Sequence, residues 1–406
     1  MKTIDVIIIG AGPAGLFAGT QIKNKSVILF DHQKNCSLKL LMSGAGQCNF
    51  THTGDVKDFL EKYNGHKAFL KTAFRQFFNE DSKSYFENAG VEVMTRDDGK
   101  VFPKSLSAED VKRALVNENS RLGHKIQTGE TVKTIQVLED GFQVITDKEQ
   151  YHATYLLGAF GGCSYPTTGS DGQLFKVFKN MGHSIVPLKP SLAPVYVEKE
   201  SLLELQGVSF RNCHVRNYRD NNPVGTYTGD LLITHFGVSG PVVLNNSRTF
   251  MPGDVLRLQF GERSKKELDR YLVEKGNVAG KQEIGTVLRG LDYPKRLIEF
   301  VLATLKIKKE LKMSELSKQQ RQSILEKLCA YPLEIHHVSG YNVAMATTGG
   351  IDLQEVNRKT MESKVIDGLY FAGECMDVDG DTGGYNIQWA MTSGYIAGVS
   401  IDKTSQ

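Results

Sequence analysis

The chain has 406 residues, of which 40% are hydrophobic and 23% charged, with a formal net charge of +3. That length exceeds one ordinary domain and that composition is globular, which excludes the disordered and fibrous classes, while so small a net charge argues for no partner by itself. The apolar run near the N-terminus stops at Ile9 and turns into glycines, unlike a signal peptide, and no stretch approaches the ~18 apolar residues of a membrane span, so a cytoplasmic protein with no membrane partner is expected.

Residues 4–9 (Ile-Asp-Val-Ile-Ile-Ile) read as a buried parallel strand, residues 14–23 carry apolar positions at helical spacing, and residues 27–30 form a second buried strand ending in Asp31. Strand, helix and strand within about thirty residues open a doubly wound sheet. Residues 56–125 read as mainly helical, with Phe59, Leu60, Phe69, Leu70, Phe74, Phe77 and Phe78 as core candidates. Residues 131–160 alternate like a hairpin turning at Asp140-Gly141, followed by the buried run Tyr155-Leu156-Leu157. Pro187, Pro190 and Pro194 are expected to break any regular element and to mark a domain crossing. Residues 195–260 are strand-rich, residues 262–330 helical, and strands resume after Tyr331-Pro332. The expected organisation is a nucleotide-binding domain in two parts, 1–189 and 346–406. Between them lie a β-rich insertion at 190–261, a helical one at 262–330, and a return strand of the β-rich part at 331–345.

Gly10-Ala11-Gly12-Pro13-Ala14-Gly15 is a complete G-x-G-x-x-G between strand and helix. Gly10 permits the tight turn, Gly12 the approach of a pyrophosphate to the backbone, and Gly15 close packing of helix on strand. Phosphates then face the free N–H groups and positive end of the helix. Asp31 is placed to accept from ribose hydroxyls. At the other end of the chain, Leu369-Tyr370-Phe371-Ala372 followed by Gly373-Glu374 resembles the strand with which many two-dinucleotide FAD proteins close their flavin site, its acid on the ribityl chain. Gly383-Gly384-Tyr385-Asn386-Ile387 then leads into a helix whose N–H groups would face the flavin and favour its reduced, negative form. An enzyme using only NAD has no need of this second half-site, so the expected cofactor is non-covalent FAD. A third cluster at 39–51 brings Lys39, Ser43, Gly44, Cys48 and Asn49 near the same nucleotide, with Cys48 as a candidate acid. Val132 and Gly161 are placed with these as candidate cofactor contacts.

Five segments in order resemble the BaiN/YhiN-like (aminoacetone-oxidase-like) family of bacterial NAD(P)/FAD-dependent flavoproteins: 10–15, 39–51, 161–169, 229–241 and 360–390. The resemblance implies a split Rossmann-type FAD domain of the α/β class, an inserted β-barrel and a small helical domain. The sequence departs from the family at Gln47, where an arginine usually stands, and at Asp31, usually a glutamate. It also departs at Ala159-Phe160-Gly161, usually Ala-Thr-Gly. Losing the arginine would remove a fixed charge near flavin or substrate.

The expected reaction is NAD(P)H-linked reduction of an electron-poor C=C bond. NAD(P)H would bind transiently, since no second G-x-G-x-x-G is present. The resemblance allows a uridine of ribosomal RNA as substrate, reduced to dihydrouridine. The alternatives are an amine oxidase that passes electrons to O₂ and a flavin redox sensor without turnover. His235 is a candidate on the substrate side. His336-His337 suggest metal, but adjacent strand residues are expected on opposite faces, so no metal site is read there. The six cysteines show no C-x-x-C pair and read as reduced thiols. Residues 262–327 hold sixteen Lys/Arg against ten Asp/Glu, densest at Lys306, Lys308, Lys309 and Lys312. With Arg211, His214, Arg216, Tyr218 and Arg219 they form a candidate RNA footprint, the helical insertion being its main part.

Overall fold

Short aliphatic runs bounded by glycine dominate the centre of the computed structural model, which describes residues 2–197 and 202–404. The chain divides into two compact units, Met1–Ser191 with Tyr341–Gln406, and Leu192–Gly340. The first unit begins β1 (Lys2–Ile9), α1 (Pro13–Gln21), β2 (Val27–Asp31), α2 (Leu38–Met42), β3 (Thr51–His52), α3 (Val56–Leu60), α4 (Lys67–Phe74) and α5 (Asn79–Asn88). It continues β4 (Val93–Thr95), β5 (Lys100–Pro103), α6 (Ala108–Arg121), β6 (Lys125–Thr128), β7 (Val132–Leu138), β8 (Gly141–Thr146), β9 (Gln150–Gly158), α7 (Gln173–Asn180) and β10 (Ile185–Ser191).

The second unit holds β11 (Val195–Val197), β12 (Ser209–Arg219), β13 (Asn222–Ile233), β14 (Gly237–Ser239), α8 (Pro241–Leu244) and β15 (Val255–Gln259). Four helices follow, α9 (Lys265–Val278), α10 (Ile284–Arg289), α11 (Lys295–Thr304) and α12 (Lys318–Cys329), before β16 (Tyr331–Val338). The chain then re-enters the first unit through β17 (Ala346–Ile351), β18 (Leu369–Phe371) and α13 (Tyr385–Lys403).

The main sheet of the first unit has the order β6-β2-β1-β9-β8-β7, with β18 also paired to β9. β6, β2, β1, β9 and β18 run parallel, while β7, β8 and β9 form antiparallel pairs. Val6, Ile7 and Ile8 are wholly buried, as a strand covered on both faces requires. Helix α13 lies directly on α1. A side chain at Gly394 would meet the Ala14 carbonyl oxygen at 2.5 Å, and one at Gly398 would meet that of Ala18 at 2.3 Å. Glycine is what lets the two helices touch along their backbones.

In the second unit β11-β14-β13-β12-β15-β16 close into a barrel. Its interior residues, Val215, Leu231, Leu256 and Leu258 among them, share one core with Leu268, Leu297, Ile324 and Leu328 of the helices. This is the α/β class with a split Rossmann-type domain and extra β and helical parts, as the sequence and its resemblance imply. No helix among the described residues is long and apolar enough to cross a membrane.

Two sequence expectations are corrected. Residues 56–125 are mainly but not only helical: they also hold β4 and β5, which with β3 form a three-stranded sheet and are too short to show a period. Pro187 and Pro190 do not end the strand but lie within β10, which pairs with β17 in a two-stranded sheet. The register shifts between Val186 and Lys189, and an edge strand tolerates missing N–H groups that point away from its partner.

Candidate functional site

Parallel pairing sets Phe30, Ile9, Gly158 and Phe371 in one row across β2, β1, β9 and β18. The next positions along these strands are therefore Asp31, Gly10, Ala159 and Ala372, all at the carboxyl edge where doubly wound sheets bind ligands. The loops that begin at Gly10, Gly161 and Gly373 leave the sheet from that one row.

The three glycines of the first loop have different surroundings. Gly10 has φ +109°, and a side chain there would strike the Ala159 carbonyl oxygen at 2.3 Å. One at Gly15 would strike the Gly10 carbonyl oxygen at 1.9 Å. Gly12, the N-cap of α1, has φ −78° and nothing within 4 Å of where a side chain would stand. Its lack of a side chain serves neither backbone nor packing and leaves open space at the positive end of a helix. Ala11, Pro13 and Ala14 complete the turn. Asp31 accepts from the Gln33 amide at 2.9 Å. Burial pushes its carboxyl above the ordinary range, against the lowering pull of the Gln33, Ala11 and Ser37 amides and of His32. Val132 opens β7 two residues past Glu130, whose amide donates to the Asp31 carbonyl.

Gly373, at φ +78°, packs on the first loop, since a side chain there would meet the Ala14 methyl at 2.7 Å. Its amide donates to Ser393 Oγ and its carbonyl accepts from Trp389 Nε1. Gly384 caps α13 at φ +96°, pressed against the Thr51 carbonyl. Tyr385 accepts on its carbonyl from Tyr63 Oη, and its ring stacks on His52. Asn386 holds Gly380 by a reciprocal pair of 2.8 Å bonds, and Ile387 follows on the first turn. The contacts of Gly394 with Ala14 and Gly398 with Ala18 make α1 and α13 parallel. α13 thus extends about eight residues, roughly 12 Å, beyond the level of Gly12. Both helices direct their positive ends the same way.

Glu374 accepts from Lys39 Nζ at 2.6 and 2.9 Å, from Ser164 Oγ at 3.0 Å and from the Thr347 amide at 2.9 Å. Four distant segments meet at this half-buried carboxylate. Sequence reasoning had Lys39 and Glu374 but not their contact, and Ser164 and Thr347 carried no signal beyond neighbouring glycines. Gly161, at φ +76°, abuts Ser170 Oγ. Ser43 and Gly44 form the turn before Gln47, and Asn49 is buried behind Gly44.

Cys48 is a correction. It is 0% exposed and belongs to the hydrophobic core, and burial pushes its thiol up to about 12. A thiol with no accessible surface cannot touch a bound molecule or give it a proton, so the side chain fills the core.

The second unit places His235 and changes two further expectations. His235 is exposed on the turn joining β13 and β14, its ring edge-on to Phe236 at 4.7 Å. His336 and His337 are both exposed, because Tyr196 pairs with His337 while Val197 pairs with Ile335, leaving His336 as the extra residue of a bulge. The strict alternation assumed from sequence fails there. The basic run is not helical: Lys306 has φ +54° and the segment connects α11 to a short turn at Met313–Glu315. Lys309 pairs with Glu310 and Lys312 with Glu283, so part of that charge is neutralised locally.

Ser37 Oγ, Asn49 Oδ1, Thr51 Oγ1 and Ser170 Oγ are buried without hydrogen-bond partners. Each borders one of the loops just described, where a bound group can supply the partner that the protein does not. Together with the opening at Gly12 and the two helix ends, they fit an extended phosphate-bridged dinucleotide of FAD's kind.

A family model described as HI0933-like protein Rossmann domain matches residues 4–400. The chain is 30% identical to a ribosomal RNA dihydrouridine synthase of Haemophilus influenzae over 98% of both chains. It is likewise 30% identical to a ribosomal RNA dihydrouridine synthase of Escherichia coli over 97% of both. It is 29% identical to a 3-dehydro-bile acid delta(4,6)-reductase of Clostridium scindens, over 96% of this chain and 97% of that one. Among solved structures, a 3-ketosteroid-delta4-(5alpha)-dehydrogenase from Rhodococcus jostii is similar in fold, with TM-score 0.52 at 13% identity over 99% of this chain and 97% of that one.

Proposed function

This chain belongs to the HI0933-like Rossmann-domain family and is an FAD-dependent oxidoreductase, and from that premise we propose that it reduces an electron-poor C=C bond, with a uracil base of ribosomal RNA as substrate. The observation that carries this reading is the match over nearly the whole chain to relatives with two different names. Their names differ in substrate but share a reaction: dihydrouridine is uridine with its ring C=C saturated, and a delta-reductase removes a double bond. RNA is preferred because relatives from two organisms carry that name.

The α1 end at Gly12 would hold the pyrophosphate, Asp31 the adenosine ribose, and the α13 end at Gly384 the flavin's polar edge. When bound, FAD supplies hydride transfer. The helix ends favour negative charge, and the packed glycines exclude water by leaving no gap between backbone segments. NAD(P)H is proposed as the source of the electron pair. One NAD(P)H and one proton then saturate one C=C bond and leave NAD(P)⁺.

The test is anaerobic incubation of the FAD-loaded protein with NADH or NADPH and an unmodified ribosomal RNA transcript, followed by nucleoside mass spectrometry. A nucleoside heavier than uridine by two hydrogens is expected. Reduction of a steroid enone with RNA untouched would move the substrate to a small molecule. Peroxide formed only on adding an amine would overturn the reductase.

A further inference from the structure

Arg216 on β12 stands directly opposite Arg257 on β15 in the antiparallel ladder. Residues opposite one another project from the same face, and both arginines are exposed on the outside of the barrel. Among the described residues neither guanidinium forms an ion pair or a hydrogen bond. The Arg257 guanidinium lies 4.9 Å over the ring of Tyr218, and His214, two residues before Arg216, bonds Thr228 at 2.8 Å. The nearest acid along β16 is Glu334, which pairs with Val255 rather than Arg257. Asp254 is engaged by Arg219 and Asn217.

Like charges directly across a ladder destabilise a sheet, and among the described residues no acid pairs with either of these two. The helical part differs: Lys265 pairs with Glu326, Arg321 with Asp269, Lys295 with Glu299 and Lys312 with Glu283. Several lysines and arginines of the helical part are thus answered by acids, whereas Arg216 and Arg257 on the β12–β15 face are not. Guanidinium groups match phosphate oxygens in pairs, and a ring beneath one of them offers a surface for a base.

We propose that the β12–β15 face of the barrel binds the phosphate backbone of single-stranded RNA, with Arg216 and Arg257 on adjacent phosphates. This deepens the RNA reading above and rests on it for the identity of the polyanion. The roles of His214 and Tyr218 are to carry the flanking sugar and base.

The test uses the full-length, FAD-loaded protein and its Arg216→Gln/Arg257→Gln double variant. Retention of a ribosomal RNA transcript is measured across a salt series, with phosphatidylserine vesicles as a second polyanion. The expected result is weaker RNA binding, with a plot of log affinity against log salt shallower by about 1.4, from ~0.7 for each lost single-strand phosphate contact. Flavin content stays unchanged, and the melting temperature without RNA is unchanged or higher, because a repulsion has been removed. An unchanged salt slope overturns the proposal, as does a lowered melting temperature with unchanged RNA binding, or loss of vesicle binding alone. If the double variant loses RNA while the wild type forms no dihydrouridine, this face stands and the substrate assignment falls. If the wild type forms dihydrouridine and the double variant binds RNA equally well, the reverse holds.

Discussion

Arg96 Nη2 donates to Gln47 Oε1 at 2.6 Å, and the same guanidinium lies 4.0 Å over the Phe102 ring. Gln47 stands where the family resemblance leads one to expect arginine. A guanidinium forty-nine positions away in sequence, from the connection between β4 and β5, thus stands beside Gln47.

Arg96→Gln is therefore expected to lower kcat/KM roughly tenfold to a hundredfold with FAD content unchanged, the size of one hydrogen bond to a charged group, ~1.5–3 kcal/mol. Adding Gln47→Arg to that variant restores part of the loss. Stopped-flow reoxidation by the organic acceptor measures it. No change in Arg96→Gln would leave the guanidinium as a packing element on Phe102.

Gly12→Val separates folding from cofactor retention. Its backbone sits where any residue is comfortable and its side chain would meet nothing, so the variant should melt like the FAD-free wild type yet carry no flavin. Gly15→Ala should instead lose stability with or without FAD, since its methyl collides with the Gly10 carbonyl. Calorimetry and flavin absorbance on both variants check the pair of outcomes.

Lys39→Met leaves Glu374 half-buried without its cation and is expected to cost about 1–3 kcal/mol, reduced by solvent at side chains 24% and 21% exposed. Lys39→Met/Glu374→Gln should recover a measurable share of that loss, because the uncompensated charge is gone. Urea unfolding of the two single variants and the double gives the coupling. Strictly additive effects would show that the ion pair contributes nothing.

Cys48, Cys213 and Cys375 all have thiols that burial pushes up to about 12, from an ordinary 9.0. A folded-state pKa above the unfolded one means stability is fully present below pH 9 and declines as pH rises from there toward 12. The protein should therefore lose stability steeply on the alkaline side. Cys48→Ala should leave reoxidation of the flavin unaltered, and Cys48 should react with iodoacetamide only after unfolding. A slowed reoxidation in Cys48→Ala would reinstate it as a proton donor.

Local rules made the cofactor half readable. The G-x-G-x-x-G between strands, Asp31 at a strand end and Gly383-Gly384 before a helix each report a backbone demand met within a few residues. The contacts of Lys39 with Glu374 and of Arg96 with Gln47 join positions far apart in sequence, and side-chain type alone does not choose among such partners. The bulge at His336 is invisible for a related reason, since one extra residue is defined only against the strand beside it. Cys48 was misread because proximity in sequence to a loop was taken for exposure. The basic run from 306 to 312 was counted by charge, and charge counts cannot tell a paired lysine from an unpaired one.

Ser191 and Ala346 are register partners on β10 and β17, so the chain leaves the first unit and returns to it at adjacent places. In topological terms the second unit is the loop of a two-stranded hairpin, enlarged until it holds a core of its own. Closing such a loop grows only logarithmically more expensive with its length, so lengthening, shortening or exchanging it perturbs the sheet behind it little.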